Sequence, residues 1–304
     1  MNSFCVSMVT IDEGKVFLQH LNGFASLPVS ILRLDVLHPV ISGNKWYKLQ
    51  HNLVAVKERN LSGVLTFGGG WSNHLVATAG AAKEAGIKAV AIVRGFHGKE
   101  HLTPTLQHCL DYGMALQFVS REEYALKEDE VYLKNLQEQY PDLLIIPYGG
   151  SNEAGRKGAA AIAAFIPSNY THVCCAVGSG TTFMGLRKAL SSNTKLIGFV
   201  PMKKGSYLKE EMQQHISTPY GSNWDLLDEF HFGGFGKWND ELIGFMNETF
   251  TTHQLPLDVV YTSKMMYGAR ALMQRNFFPI KSKILCVHSG GLQGNASVAH
   301  QLIF

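Results

Sequence analysis

One local unit recurs along the chain: a short run of β-branched and apolar residues, a glycine-rich turn, and then a helix-like stretch. It occurs at residues 63–86, 143–166, 172–190 and 283–302, and plainer strand-like runs lie at 88–95 and 195–201. Strands that alternate with helices form βαβ units, and right-handed crossovers restrict the topology to doubly wound sheets. The pattern therefore predicts an α/β fold built from open, mainly parallel sheets.

Composition and charge narrow the classes of partner. Hydrophobic residues make up 46% of the chain and charged residues 17%, which is the balance of a folded globular protein. The net charge of +3 gives no indication of nucleic acid or an anionic membrane as partner. No run of about 18 apolar residues occurs, and the start of the chain does not resemble a signal peptide, so we expect a cytoplasmic protein.

The cysteines and histidines show no disulfide or metal-binding pattern. A chain of 304 residues needs no disulfide to stabilise its core, and no CxxC pair occurs, so we expect reduced thiols. The 13 histidines include no HExxH motif, and we expect no metal ion. The five cysteines are Cys5, Cys109, Cys174, Cys175 and Cys286.

Three of the glycine turns carry polar side chains. These are Ser72-Asn73-His74, the stretch from Ser179 to Thr182, and His288-Ser289. In doubly wound sheets the loops after the carboxyl ends of the strands lie around one crevice. We therefore expect these turns to meet at a single ligand-binding site.

The turn VGSGTTFMG, residues 177–185, is suited to a phosphate. Its spacing matches neither the Walker A loop nor the GxGxxG dinucleotide motif. What remains is a set of backbone N–H donors in this turn, with the hydroxyls of Ser179, Thr181 and Thr182 beside them, and such a set can bind one terminal phosphate. A tight βα turn that binds nothing is the alternative.

The stretch ISGNKWYKLQ, residues 41–50, places two lysines three positions apart. Gly43 and Asn44 suit an N-cap region, which puts Lys45 in the first turn of a helix and Lys48 one turn later. The positive end of the helix dipole and a second cation on the same face both lower the pKa of an amine, and burial lowers it further. A neutral amine can attack a carbonyl, whereas an ammonium cannot. A solvent-exposed helix with two ordinary lysines is the alternative.

Together, the phosphate turn and the lysine pair indicate pyridoxal 5′-phosphate as cofactor. This cofactor requires a Schiff-base lysine, an anchor for its phosphate and a partner for its pyridine nitrogen. An oxidoreductase that binds a dinucleotide is a poorer alternative, because the chain lacks GxGxxG followed by an acid about 20 residues later.

The order of the motifs resembles that of a known family. Gly-Asn-Lys45 is followed by Lys48-Leu49, Ser72-Asn73-His74, VGSGTT, VVYTSKMMYG and VHSGG. This order is similar to that of the 1-aminocyclopropane-1-carboxylate deaminase/D-cysteine desulfhydrase family of fold-type II pyridoxal-phosphate enzymes. The resemblance extends from about residue 32 to about residue 292.

The resemblance implies a role for each matching residue. Lys45 would carry the cofactor and then act as base or acid at the substrate's α-carbon, with Ser72 as a possible relay and Tyr261 facing the substrate. Lys48 would lie near the phosphate, and Asn73 would contact the cofactor's 3′-oxygen. The other implied contacts are Gly178, Ser179, Gly180, Thr181 and Thr182 with the phosphate, Thr262 or Ser289 with the pyridine nitrogen, and Ser72, Asn73, His74, Phe235 and Tyr261 with the substrate.

Two of these roles have structural alternatives. His74 would be a capping or core histidine, and Ser289 would cap the last helix. For the whole chain, the resemblance implies two α/β lobes with the cofactor crevice between them, and a homodimer. The domains that we expect are residues 1–50 with 155–304, which bind the cofactor, and a smaller α/β domain at 51–154.

Two departures from the family pattern bear on the reaction. Deaminases of the family have Glu at the position of Thr262, and a hydroxyl cannot hold a full proton on the pyridine nitrogen. This change favours β-elimination. The family usually has Tyr where Phe235 falls, and the loss of that phenol removes an acid/base group for opening a cyclopropane ring. Both changes disfavour the deaminase, and the second also weakens the case for D-cysteine itself.

The expected activity is therefore that of a lyase or hydrolase acting on a small amino acid. α,β-Elimination of D-cysteine or a similar β-substituted amino acid would give a keto acid and ammonia. The alternatives are 1-aminocyclopropane-1-carboxylate deaminase, an amino-acid racemase in which Ser72 and Lys45 act on opposite faces, and a non-catalytic binder of a phosphate ligand on the same fold.

Overall fold

The computed structural model describes residues 9–205, 207–216 and 223–304. Cys5 and the start of the chain, where we expect no signal peptide, lie outside these residues. The strands of the described residues are β1 (Phe17–His20), β2 (Val29–Arg33), β3 (Gly63–Gly68), β4 (Lys88–Arg94), β5 (Ala115–Val119), β6 (Leu143–Ile146), β7 (His172–Ala176), β8 (Lys195–Phe199), β9 (Trp224–Leu227) and β10 (Ile284–His288).

Helices connect most of these strands. The α-helices of the described residues are α1 (Asn44–Glu58), α2 (Asn73–Ala85), α3 (His97–Glu100), α4 (Pro104–Asp111), α5 (Arg121–Ala125), α6 (Glu130–Gln139), α7 (Glu153–Ala160), α8 (Thr181–Ala189), α9 (Tyr207–His215), α10 (Asp240–His253) and α11 (Thr262–Gln274). Short 3₁₀ helices lie at Glu13–Lys15, Tyr148–Gly150, Ala161–Phe165, Leu292–Ser297 and Ala299–Gln301.

Within the described residues the strands form two sheets. The larger has the order β1-β2-β10-β7-β8-β9 and the smaller β5-β4-β3-β6. β1 pairs with β2 in antiparallel register, and the other pairs in these sheets are parallel. β2, β3, β7 and β10 are buried along their whole length, as expected for parallel strands with both faces covered. The predicted α/β fold of open, mainly parallel sheets is confirmed.

The two sheets use separate parts of the chain. The smaller takes its strands from residues 63–146, and the larger from residues 17–33 and 172–288. One apolar cluster contains residues of both parts. A second packs on the larger sheet, and a third packs on the smaller sheet. The domain boundaries stay a prediction, and the one expected at residue 50 falls inside α1.

The runs predicted as strands correspond to β3, β4, β6, β7, β8 and β10, whereas β1, β2, β5 and β9 were not predicted. The last predicted strand–turn–helix unit is wrong in its final part, because only 3₁₀ turns follow β10. The side chain of Asn295 accepts from the Val259 N–H at 2.9 Å and donates to the Leu257 carbonyl at 2.8 Å. These tertiary bonds compete with a regular helix. Ser289 therefore does not cap an α-helix.

Helix α7 packs against both α1 and α8 through glycines. A Cβ added at Gly158 of α7 would lie 1.8 Å from the carbonyl oxygen of Tyr47 in α1. A Cβ at Gly185 of α8 would lie 2.6 Å from the carbonyl oxygen of Arg156 in α7. Only glycine permits this approach of backbones. The three helices are thereby held as one unit, which sets the distance between the starts of α1 and α8.

Two further expectations concern the thiols and the membrane. Cys109, Cys174, Cys175 and Cys286 are buried free thiols. Among the helices of the described residues, none has the length and apolar character needed to cross a bilayer.

We predict that Gly158→Ala lowers the free energy of unfolding by about 1–3 kcal/mol, because the added methyl group forces α7 away from α1. The matched control is Gly244→Ala in α10, where a Cβ meets nothing within 4 Å. That change should raise stability by about 0.5–1 kcal/mol through the better helix propensity of alanine. Urea unfolding of both variants measures the difference, and equal stability of the two would contradict the close packing of α7 on α1.

Candidate active site

A crevice of about 870 Å³ opens at the carboxyl ends of strands from both sheets. The start of α1 and the turns after β3, β6, β7 and β10 line it, so the glycine turns meet at one place, as expected for doubly wound sheets. The predicted site residues in its lining are Lys45, Lys48, Ser72, Asn73, His74, Gly178, Ser179, Gly180, Thr182, Phe235, Tyr261 and Ser289. Thr181 and Thr262, also predicted, are not in the lining.

Helix α1 begins directly against the turn after β10. Gly43, its N-cap residue, has a φ of 63° and provides no side-chain cap. A Cβ at this position would lie 2.0 Å from the carbonyl oxygen of Ser289, which accepts a bond from the Asn44 N–H at 3.2 Å. Both the left-handed backbone and the lack of space require glycine here. The turn after β10 thus orients the first turn of α1 towards the crevice.

The side chain of Asn44 joins the first lysine to the turn after β7. Its Nδ2 donates to the Thr182 hydroxyl at 2.8 Å, and its Oδ1 accepts from the Lys45 ammonium at 2.7 Å. The sequence predicted Asn44 only as part of the N-cap region. Its position next to Lys45 could also have indicated that its side chain positions the amine. One amide therefore sets the position of the Lys45 amine relative to the start of α8.

The amine of Lys45 lies in surroundings that favour its neutral form. Burial lowers its pKa to about 8, against an opposing effect of the Asp258 carboxylate. The second lysine, which we expected to lower this pKa, instead has its own pKa lowered by Lys45. Burial, rather than the neighbouring cation, is thus the main cause at Lys45.

Lys48 faces two turns of the crevice at once. Its Nζ donates to the Gly149 carbonyl at 3.1 Å and to the Ser179 hydroxyl at 3.5 Å. Burial and, to a lesser degree, the Lys45 ammonium hold its pKa well below the usual range. An anion at the start of α8 would restore the charged form, because an opposite charge raises the pKa of an amine.

The turn before α8 has the features of an anion site. Gly180, the N-cap residue, has a φ of 73°, and no side chain caps the first N–H groups of the helix. A free helix N-terminus attracts an anion through these donors and the helix dipole. Thr181 is fully buried and its hydroxyl is bonded to that of Ser179 at 2.9 Å, so its side chain does not face the crevice.

The start of α2 brings three polar residues to the crevice. Ser72 is its N-cap, and its hydroxyl accepts from the Leu75 N–H at 3.4 Å. Asn73 is buried, and its Nδ2 donates to the Gly291 carbonyl at 3.2 Å, while its Oδ1 has no partner among the described residues. An unpaired buried amide oxygen next to a crevice is typical of a ligand site.

His74 carries an unpaired hydrogen-bond acceptor. The Thr66 hydroxyl donates to the Ile146 carbonyl at 2.8 Å, so it must accept from Nε2–H of His74 at 3.0 Å. This leaves Nδ1 unprotonated, and it has no partner among the described residues. Burial, Lys48 and Lys45 lower the pKa of His74 to about 3. Because an unprotonated nitrogen repels a carboxylate, the structure does not support His74 as a ligand of the substrate carboxylate.

Two aromatic residues also line the crevice. The rings of Phe235 and Tyr261 have centroids 5.9 Å apart in an edge-to-face arrangement. Burial, together with Tyr148 and Asp258, raises the pKa of Tyr261 well above its usual range. Its hydroxyl therefore stays protonated and acts as a donor rather than as a base.

Thr262 does not reach the crevice. Its hydroxyl donates to Oδ1 of Asp258 at 2.7 Å and accepts from the Asp258 N–H at 2.8 Å. These bonds place Thr262 in the capping structure at the start of α11. Of the two residues expected at the pyridine nitrogen, the lining contains Ser289 and not Thr262.

Asp258 and Lys264 are buried charges that the sequence analysis did not single out. Asp258 accepts the N–H groups of Val260, Tyr261 and Thr262, and so caps α11. Lys264 donates to the carbonyls of His231 and Gly234 at 2.8 and 2.9 Å. It therefore holds the glycine-rich loop that carries Phe235. Asp258 directly precedes VVYTSK and Lys264 ends it, so the sequence could have indicated both charged residues.

Comparisons with known proteins agree with this geometry. The family model described as "Pyridoxal-phosphate dependent enzyme" matches residues 9–290. A Thermotoga maritima protein, named provisionally as a 1-aminocyclopropane-1-carboxylate deaminase, is 27% identical over 94% of this chain and 96% of its own length. The D-cysteine desulfhydrase of Yersinia enterocolitica is 26% identical, over 90% of this chain and 89% of its own.

A solved structure is similar over almost the whole fold. The crystal structure of an ACC deaminase homologue has a TM-score of 0.82 and 26% identity, and the match covers 95% of this chain and 93% of that chain. The likeness therefore includes both sheets and the crevice between them.

We predict that the amine of Lys45 reacts with an amine-selective reagent at a rate that rises with pH and levels off just above pH 8, since its pKa is about 8. Competitive acetylation of the cofactor-free protein, followed by peptide mass spectrometry, measures this rate. Lys57, exposed in the same helix, is the internal control. A rate for Lys45 that keeps rising in parallel with that of Lys57 would contradict the effect of burial.

We predict that His74 keeps Nε2 protonated and Nδ1 unprotonated from about pH 5 to about pH 8, because its pKa of about 3 lies below this range. The nitrogen chemical shifts of the ring report both sites. Thr66→Val should lower the free energy of unfolding by about 1–3 kcal/mol, because it leaves the buried Nε2–H without an acceptor. Thr78→Val, which removes a hydroxyl bonded to the His74 carbonyl, is the control and should cost less. A doubly protonated ring would contradict the assignment.

Proposed function

This chain belongs to the family of pyridoxal-phosphate dependent enzymes, and we propose that it catalyses α,β-elimination on a β-substituted amino acid such as D-cysteine. The products would be a keto acid, ammonia and the released β-substituent. The observation that carries the proposal is the amine of Lys45, which has a pKa of about 8 and is held by Asn44 beside the start of α8.

The residues of the crevice fit the cofactor. The uncapped start of α8 and the Lys48 amine together suit a phosphate. The unpaired Oδ1 of Asn73 and Nδ1 of His74 are buried polar atoms that a bound ligand would satisfy. Gly178 leaves space next to the ring of Tyr261. A Cβ at this position would fill that space and approach the ring to 3.2 Å.

We assign the contacts of the cofactor to these groups. Ser179, Gly180 and Thr182 would bind its phosphate with Lys48. Asn73 has one amide N–H that is not used by Gly291, and it would donate this hydrogen to the 3′-oxygen. Ser289 would meet the pyridine nitrogen, because it lines the crevice and Thr262 does not.

The chain's own residues supply the remaining chemistry. When bound, pyridoxal phosphate offers an aldehyde to an amine and an electron-withdrawing ring that makes the α-proton of an amino acid acidic. Nζ of Lys45 would take that proton, because its lowered pKa brings the neutral amine within the working pH range. The free N–H groups at the start of α2 and the hydroxyl of Ser72 would bind the substrate carboxylate.

Two residues would act on the leaving group and on solvent. The Tyr261 hydroxyl, which stays protonated, would donate to the β-substituent as it departs, with Ser72 as the other available hydroxyl. The edge-to-face pair of Phe235, which is 49% exposed, and Tyr261 would cover part of the crevice and limit the access of water to the reacting carbon.

The names of the relatives favour two activities, desulfhydrase and deaminase, which fit the expected lyase and give no support to the expected hydrolase. 1-Aminocyclopropane-1-carboxylate has no hydrogen on its α-carbon, so its ring opening needs a different acid/base group. Phe235 supplies no phenol in the lining of the crevice. This absence favours elimination over ring opening, and the deaminase is our second candidate.

We also propose that the enzyme works in the cytoplasm as a homodimer. Support for both comes from the family resemblance, and the buried free thiols Cys109, Cys174, Cys175 and Cys286 suit a reducing compartment. Size-exclusion chromatography with light scattering tests the dimer.

We predict that the purified enzyme shows the visible absorbance of bound cofactor, and that borohydride reduction attaches the cofactor to Lys45, as located by peptide mass spectrometry. Lys45→Ala should abolish this attachment and lower keto-acid formation about 10²–10⁴-fold, because the proton acceptor is lost. Lys57→Ala in the same helix is the control and should change neither. Attachment to another lysine would refute the assignment.

A panel of substrates separates the candidate reactions. Both enantiomers of cysteine and 1-aminocyclopropane-1-carboxylate are compared for keto-acid release. Release from cysteine alone supports elimination, and release from the cyclopropane supports the deaminase. Exchange of the α-proton without keto acid identifies a racemase, and cofactor binding without any of these reactions identifies a non-catalytic binder.

A further inference from the structure

The carboxyl edge of the smaller sheet carries a second group of polar residues, beyond those assigned above. Arg94 ends β4, Arg121 lies two residues after the end of β5, and Tyr148 lies two residues after the end of β6. All three line the crevice, as does Tyr124 of α5. Ligands of parallel α/β sheets bind at this edge, where the loops after neighbouring strands meet.

Both arginines are exposed residues at the crevice, and neither has an ion-pair partner within 4 Å among the described residues. Neither Arg94 nor Arg121 forms a side-chain hydrogen bond within this part of the chain. The guanidinium of Arg94 lies over the turn after β3, since its Nη2 would be 3.9 Å from a Cβ at Gly69. Arg121 lies next to Glu122, whose exposed carboxyl has its pKa lowered by local hydrogen bonds and, in smaller part, by this arginine. Arginine pairs at a ligand site are suited to carboxylate, sulfonate and phosphate groups.

The buried hydroxyl of Tyr124 is a second observation in favour of a ligand at this place. Tyr124 is only 6% exposed, and its hydroxyl has no hydrogen-bond partner among the described residues. Burial raises the pKa of Tyr124, so the hydroxyl remains a donor. An unsatisfied buried donor in the wall of a crevice costs stability unless a ligand or water satisfies it.

The remaining charges nearby are paired with each other. Lys127 lies 5.9 Å from the ring centroids of both Tyr124 and Tyr148, and its ammonium is 3.6 Å from the carboxylate of Glu128. This pair is close to neutral, so the positive charge of the region comes from Arg94 and Arg121.

The strand order sets the size of the ligand. β4 is next to β3 and β5 is next to β4, so the ends of β4 and β5 are about 5 Å and about 10 Å from the end of β3. The turn after β3 carries Ser72 and Asn73, where the α-carboxylate would bind. A group that reaches Arg94 is therefore separated from the α-carbon by a few atoms.

We infer that Arg94, Arg121 and the Tyr124 hydroxyl form a second anion-binding subsite, and that the substrate is an amino acid whose β-substituent carries an anionic group, such as a sulfonate or phosphate, and departs with it as the leaving group. This inference rests on the proposed function for the reaction at the α-carbon. It makes the neutral amino acid cysteine a poorer substrate than an anionic analogue.

The test uses the cofactor-loaded enzyme and matched amino acids. Cysteate and O-phosphoserine carry an anionic leaving group, aspartate carries an anion without a leaving group and reports binding alone, and serine is the neutral reference. Both enantiomers of each are titrated. Binding is read from the change in absorbance of the bound cofactor, and turnover from keto acid. We expect at least one anionic amino acid to bind about tenfold or more tightly than serine of the same chirality, and the panel identifies which anion fits.

Variants separate a subsite from general electrostatic attraction. Arg94→Gln and Arg121→Gln should each weaken binding of the preferred anion about tenfold and should weaken binding of serine much less, so that the preference for the anion over serine falls about tenfold. Arg94→Lys should recover part of the loss. Arg59→Gln removes an exposed arginine outside the crevice and should have no effect.

The outcomes distinguish this inference from the proposed function. If cysteine yields keto acid but every anionic amino acid binds no better than serine, the subsite is refuted while the elimination stands. The same conclusion follows if Arg59→Gln weakens anion binding as much as Arg94→Gln does. If cysteate or O-phosphoserine binds in an Arg94-dependent way but neither of them nor cysteine is converted, the subsite stands while the elimination fails.

Discussion

The close approach of helix α1 to the turn after β10 is the constraint on which the site depends. The backbone of Gly43 lies so near the Ser289 carbonyl that no side chain fits between them. This contact places Asn44 where its amide can bond both Lys45 and Thr182. A substitution at Gly43 would therefore move the amine away from the phosphate turn without touching either group. The reactive geometry is a result of backbone packing, and the polar bonds follow from it.

Burial, more than any single neighbour, determines the charges in the crevice. It is the largest cause of the lowered pKa values of Lys45, Lys48 and His74. The low dielectric that favours the neutral amine would also strengthen the attraction between Lys48 and a bound phosphate. The buried Asp258 carboxylate opposes this effect at Lys45, and it is kept in place by the backbone N–H groups at the start of α11. At Lys45, burial thus lowers the pKa of the amine while the Asp258 carboxylate raises it.

The two sheets have different tasks in the proposed reaction. The larger sheet carries the turns that would hold the cofactor, after β7 and β10, and α7 connects α8 to α1 through glycine contacts. The smaller sheet carries the groups that would bind the substrate, from Ser72 after β3 to Arg121 after β5. Because parallel strands end at the same edge, changes in the loops after β4 and β5 can alter substrate choice while leaving Asn73, which the cofactor would contact after β3, in place.

The sequence by itself determined the strand–turn–helix pattern, the parallel sheets and the lysine and glycine turns of the crevice, because these depend on local spacing and on glycine. It could not determine which polar atoms face the ligand. Thr262 and Thr181 look like site residues in their motifs, but each has its hydroxyl bonded to a neighbour. His74 was expected at a carboxylate, and only its bond to Thr66, eight residues away on β3, makes it an acceptor. Arg94 and Arg121 lie in no motif, and tertiary structure alone brings them to the crevice. The effect of Asp258 on the Lys45 amine is likewise set by the fold, because the surroundings of a side chain come from segments distant in the chain.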